Sequence, residues 1–157
     1  MDDPKRTGAL IAARLPVRVR WSILGTPLDY DFSRSRAPLR SPQPSDFTGA
    51  EIPDAWKSLL LFGEERYAEG GGASPYLAVN VDTGEVFGLD VERDGSQLYL
   101  LNTDTRCFIR TFEALDAALR VGAVSIGALA DELRAADPAA FDRSEWRFLA
   151  EHLAPGA

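Results

Sequence analysis

The segment from Leu59 to Leu119 constrains the fold more than any other part of this chain, because the spacing of its apolar residues changes from strand-like to helical along its length. Tyr76–Val81 and Glu85–Val91 read as strands on either side of Asp82-Thr83-Gly84, where Gly84 is placed to supply the positive φ of a three-residue turn with a bulge. Asp94-Gly95 marks the next turn, and Leu98-Tyr99-Leu100-Leu101 completes an antiparallel meander. Asn102-Thr103-Asp104 then offers capping oxygens, and Phe108, Phe112, Leu115 and Leu119 follow on one helical face that Ile109 widens. Upstream, Trp56 and Leu59 to Phe62 predict a brief helical turn entering a buried strand, with Gly63 allowing the chain to turn.

The flanks add elements of both kinds. Leu10, Ile11 and Leu15 predict a short helix over Ala9–Leu15 that Pro16 stops, and Val17-Arg18-Val19-Arg20-Trp21 alternates as a half-buried strand does. From Gly25 to Pro44 the chain is rich in Pro, Ser and Arg, which predicts extended, solvated chain, with residues 33–44 as a loose loop. After Leu119, Ile126 to Ala135 predicts a second helix broken at Asp137-Pro138, and Phe141 to Leu153 a third. The expected fold is α+β, a mixed, largely antiparallel sheet with a central meander packed by helices, in one domain over residues 1–157 with loose termini.

Charge is unevenly placed. The chain carries −7, with eight Lys/Arg against four Asp/Glu in residues 1–43 and nine against twenty in residues 44–157. The body is thus strongly acidic, which repels nucleic acid phosphate and steers basic protein partners, the alternative being that the acids serve solubility alone. The longest apolar stretches are far shorter than the roughly 20 residues that span a bilayer, and the first residues do not line up as a signal peptide, so cytoplasmic residence without membrane contact is expected.

The chemistry-bearing residues point away from catalysis and cofactors. Gly70-Gly71-Gly72 is followed by no Gly-Lys-Ser/Thr and opens no helix, so it is not a phosphate loop. Asn80 and Asp82 begin with calcium-loop spacing, but Gly84, Glu85 and Val91 stand where a ligand, a glycine and a bidentate glutamate are needed. The single Cys107 and single His152 exclude a disulfide framework and a multi-cysteine metal site, and Cys107 is expected as a small buried thiol. Arg34 and Arg36 are expected in a solvated loop rather than as an anion site. A carboxylate-dependent hydrolase using Asp82, Glu85 or Asp90 is the enzymatic alternative, resting on acids beside turns.

Several of these features together resemble the SUKH superfamily (the Syd, US22 and Smi/Knr groups), most closely its fourth family, from about Leu59 to Leu153. They are Phe62-Gly63, the glycine-rich passage before Tyr76-Leu77, Val81-Asp82-Thr83-Gly84-Glu85-Val86, Asn102-Thr103-Asp104 leading into Phe108, and Asp137-Pro138-Ala139-Ala140 before Trp146. The chain departs from the family pattern in its cap, usually Asn-Ser-Ser, and in a longer charged insertion from Glu64 to Glu69. The resemblance implies a protein-binding module of the toxin-immunity kind, which neutralises a nuclease or nucleic-acid deaminase toxin without chemistry or cofactor of its own. A housekeeping adaptor of the Smi/Knr kind is the alternative within the superfamily. With the acidic body, it makes Glu64, Glu65, Glu69, Asp90, Glu92 and Asp94, read as loop and strand-end acids, the expected contacts for a basic toxin.

Overall fold

A computed structural model describes residues 6–23, 26–47, 51–67, 76–92, 95–121 and 126–147. In chain order its elements are α1 (Thr7–Arg14), β1 (Arg18–Ile23), β2 (Thr26–Asp31), β3 (Leu59–Tyr67), β4 (Tyr76–Asn80), β5 (Val86–Glu92), β6 (Gly95–Asn102), α2 (Thr105–Val121) and α3 (Ile126–Ala136). Short 3-10 turns lie at Ser33–Arg36, Pro44–Phe47, Asp54–Ser58 and Phe141–Arg143. The strands form one sheet in sequence order, and each described pair is antiparallel. The α+β class is as expected, and the meander that the sequence placed at β4–β6 runs through the whole sheet.

The sheet is buried on both faces by different material. On one, Trp21, Tyr30 and Phe62 meet α2, whose Phe112 ring lies 4.7 Å from Trp21 and 5.0 Å from Tyr30 while Phe108 lies 5.3 Å from Phe62. Phe108, Phe112 and Leu115 are almost wholly buried, and at about 1.5–3 kcal/mol for each large side chain they suffice to dock the helix. On the other face Phe47 and Trp56 pack over Leu59, Leu61, Ala78 and Leu89. Leu61 and Phe62 serve opposite faces, and the register shifts between Leu61 and Gly63.

Residues 26–44 are not the extended, solvated chain that the composition of 25–44 predicts. Thr26–Asp31 is a strand paired on both sides, because Leu28 and Tyr30 alternate with Asp29 and Asp31 and β1 and β3 supply partners. Beyond it Ser35 is buried and its hydroxyl donates to the Phe62 carbonyl at 2.7 Å, while Arg36 donates to the carbonyls of Phe32 and Leu15 at 2.9 and 2.8 Å. Glu64 and Glu65 are likewise not in a loop. The presence of β2 gives β3 a partner beyond Gly63, and the strand continues through them, pairing Glu64 with Asp31 and Glu65 with Tyr30.

The β4–β5 reversal has the predicted left-handed Gly84, with φ +81° and open space around the position of a Cβ. It is one residue longer than expected, running over Val81–Gly84 inside the closing pair Asn80 and Glu85, whose N–H to carbonyl bond is 2.9 Å. The reason is local: the Asn80 Oδ1 accepts the N–H groups of Asp82 and Thr83 at 2.8 and 3.1 Å, and the Val81 N–H donates to the Ser58 carbonyl at 2.8 Å. Val17, expected on the buried face of the first strand, precedes β1 and is 45% exposed, whereas Val19 and Trp21 are buried. Of the third predicted helix, Phe141–Arg143 is a 3-10 turn and residues 145–147 are helical, and the remainder to Leu153 lies outside the described residues.

Candidate partner-binding surface

The fold places four of the predicted acids, Glu64, Glu65, Asp90 and Glu92, towards one end of the sheet. Tyr76 of β4 pairs with Glu64 of β3 on one side and with Leu89 of β5 on the other, so Glu64 and Glu65 lie one strand away from Asp90 and Glu92. Asp90 pairs with Gln97 and Glu92 with Gly95 of β6. Glu69 and Asp94 lie outside the described residues.

These acids are not equivalent. The Glu64 carboxylate receives the Arg34 Nε at 3.0 Å, and its side chain is 13% exposed. Arg34 also stands 3.6 Å from Asp46, and its guanidinium lies over the Tyr76 ring, 5.0 Å from the centroid. Asp46 in turn takes two hydrogen bonds from Arg40, at 2.6 and 2.8 Å, and the Gln43 N–H at 2.8 Å. Those donors, the Arg40 hydrogen bonds foremost, hold its carboxyl below the usual carboxylate range against the opposing effect of burial. Arg34 thus fastens the 33–47 segment to β3 through Glu64, while the Arg40 guanidinium braces the segment on its own Asp46 and the Arg40 carbonyl accepts the Leu61 N–H of β3 at 2.9 Å. The two arginines do not stand in a solvated loop, and Glu64 belongs to the same fastening.

A second polar centre, more than the simple cap that Asn102-Thr103-Asp104 predicts, closes the far end of the sheet. Asp104 caps α2, accepting the Cys107 N–H at 2.8 Å. Asn102, 1% exposed, turns inward: its Nδ2 donates to Thr111 Oγ1 at 3.0 Å and to Asp137 Oδ2 at 3.1 Å, and its Oδ1 accepts Trp146 Nε1 at 2.7 Å. The buried Asp137 also takes the Thr103 N–H and hydroxyl, both at 2.7 Å, and the Ser144 hydroxyl donates to the Leu101 carbonyl at 2.6 Å. This network ties β6, α2 and the chain after α3 into one unit. Its members Asn102, Thr103, Asp137 and Trp146 come from the segments that carry the family resemblance, so those segments are marks of architecture.

The remaining chemistry-bearing residues are quiet. Cys107 is half-buried, and burial, then Asp137 and Asp104, push its thiol up to about 12. His152 lies outside the described residues. Asp82 and Glu85 sit in the β4–β5 reversal and Asp90 towards the far end of β5, so the acids of the hydrolase alternative do not converge. Among the described residues no group of three or more His, Cys, Asp or Glu could hold a metal ion, and no helix is long and apolar enough to cross a membrane. The chain matches the family model described as SUKH-4 immunity protein over residues 3–152. No curated protein and no solved structure matches it.

Proposed function

The chain belongs to the SUKH-4 immunity protein family, and from that premise we propose that it acts in the cytoplasm by binding and neutralising a nuclease or nucleic-acid deaminase toxin of a polymorphic toxin system. The observation that carries the reading is the family match across nearly the whole chain. The charge distribution supports the choice of toxin: an enzyme that holds a polyanion presents a basic cleft, and the −11 of residues 44–157 is complementary to it. Binding then neutralises by occupation, with carboxylates at the β3 and β5 end of the sheet, Glu65, Asp90 and Glu92 with Glu69 and Asp94 near them in sequence, standing where phosphates would. Glu64, committed to Arg34, supports that surface from within.

The test is co-expression with the toxin encoded beside this gene. The expected result is survival of cells that the toxin alone kills, with the two proteins co-eluting on gel filtration. Undiminished killing with no complex contradicts the reading.

A further inference from the structure

The two edges of the sheet are built differently. At one, β1 carries Arg18 and Arg20, whose guanidiniums reach Asp31 and Asp29 of β2 at 4.0 and 2.7 Å. Charges on an edge strand deter another strand from adding to it. At the other, β6 reads Gly-Ser-Gln-Leu-Tyr-Leu-Leu-Asn, with neither charge nor proline. Its Leu98 is 43% exposed, and Leu98 and Val17 are the large apolar side chains most open to solvent among the described residues.

The register explains that exposure. Leu98 pairs with the fully buried Leu89, so it lies on the face that Phe47 and Trp56 cover, one strand past the Leu89 on which that cover packs. Leu100 and its partner Phe87 continue the strip and are half-buried. At the opposite end of β6 the Ser144 hydroxyl meets the Leu101 carbonyl, so the open stretch centres on Leu98. An apolar, uncharged edge strand is the template on which an extended segment of another chain gains main-chain hydrogen bonds.

Charge selects the occupant. Asp90 and Glu92 stand on β5 at positions paired with Gln97 and Gly95 of β6, beside this edge. A second copy of the chain would bring its own acids and its own −7 to the same place, whereas a basic segment is attracted there. We propose that β6 is the toxin-docking edge: an extended, basic segment of the cognate toxin adds alongside β6, with an apolar side chain against Leu98 and its cations towards the Asp90 and Glu92 end. The assignment rests on the immunity reading above and specifies where that binding occurs.

The experiment pairs Leu98→Arg with Val17→Arg, a like change at an equally exposed residue beside the opposite edge, and measures affinity for the purified toxin. Leu98→Arg is expected to weaken binding about tenfold or more, a typical loss at a central contact, with Val17→Arg unchanged. Hydrogen exchange on the wild-type complex is expected to show β6 amides slowed by the toxin, which needs no variant to fold. A wild-type chain that binds with β6 unprotected, or a Leu98→Arg variant that binds normally, overturns the assignment alone. A β6-dependent dimer of the free chain that dissociates in Leu98→Arg, with toxin binding unaffected, gives the edge to a second copy and overturns it too. A wild-type chain that binds no toxin overturns the functional reading, and the assignment with it.

Discussion

Asp137 is 3% exposed and receives three donors, so its loss strands one buried Asn102 N–H and breaks the two hydrogen bonds that hold Thr103 to the chain after α3. Asp137→Ala is expected to cost about 2–4 kcal/mol in urea unfolding, and Ser144→Ala about 1–2 kcal/mol, since it removes the hydroxyl that donates to the Leu101 carbonyl and accepts the Trp146 N–H. Equal and small effects would contradict the described network. Cys107 gives a check of a different kind. With its thiol pushed up to about 12, native protein should label very slowly with iodoacetamide at pH 8 and faster only as pH approaches that value, while urea-unfolded protein labels at once. Rapid native labelling at pH 8 would contradict the burial. The sequence announced Asn102, Thr103 and Asp104 as capping residues but could not say which one caps. That choice is made by Asp137, 34 residues on from Thr103 and 35 from Asn102, which draws both inward and leaves Asp104 to the helix.

Elements show the same division between local and distant causes. The stripe Phe108, Phe112 and Leu115 and the left-handed Gly84 are set by local spacing and were readable. β2 was not, although Leu28, Tyr30 and Phe32 alternate with acids, because Pro27 and the Pro/Ser/Arg-rich run after it outweighed a short alternation. The partners that stabilise it lie on β1 and β3. The segment over residues 33–47 was unreadable for a related reason: its order depends on contacts with a distant strand, the ion pair of Arg34 with Glu64 above all. Its pH dependence follows from Asp46. The folded carboxyl titrates below its unfolded value, so the stabilisation is present above the ordinary carboxylate range and is lost as pH falls through the depressed folded value. Asp46→Asn is expected to speed amide exchange at residues 40–47 at neutral pH and to remove this part of the acid sensitivity. Exchange unchanged from wild type would show that Arg40 and Asp46 do not hold the segment. Close packing gives a further check: a Cβ at Gly88 would fall within the Tyr99 ring, so Gly88→Ala should cost about 1–3 kcal/mol.

At the scale of the whole molecule, two polar centres and two apolar layers brace the sheet, and the proposed partner surface is its acidic end and β6 edge. The expected contacts divide accordingly. Reversing Asp90 and Glu92 to Lys is expected to slow toxin association and flatten its dependence on salt, with little effect on unfolding, whereas Glu64→Gln should lower stability by releasing Arg34. The fold class and the family were legible because turn residues, alternation and the helix stripe are local signals that fall in a recognisable order. The docking edge was not, because an edge exists only once every other strand has found its neighbour. The central claim, that this chain neutralises by direct binding, is tested by titrating the purified toxin's activity on nucleic acid with purified protein at low and high salt. Activity is expected to be extinguished at stoichiometric protein, with association that slows as salt rises. A toxin that stays fully active in excess of this protein at low salt would contradict it.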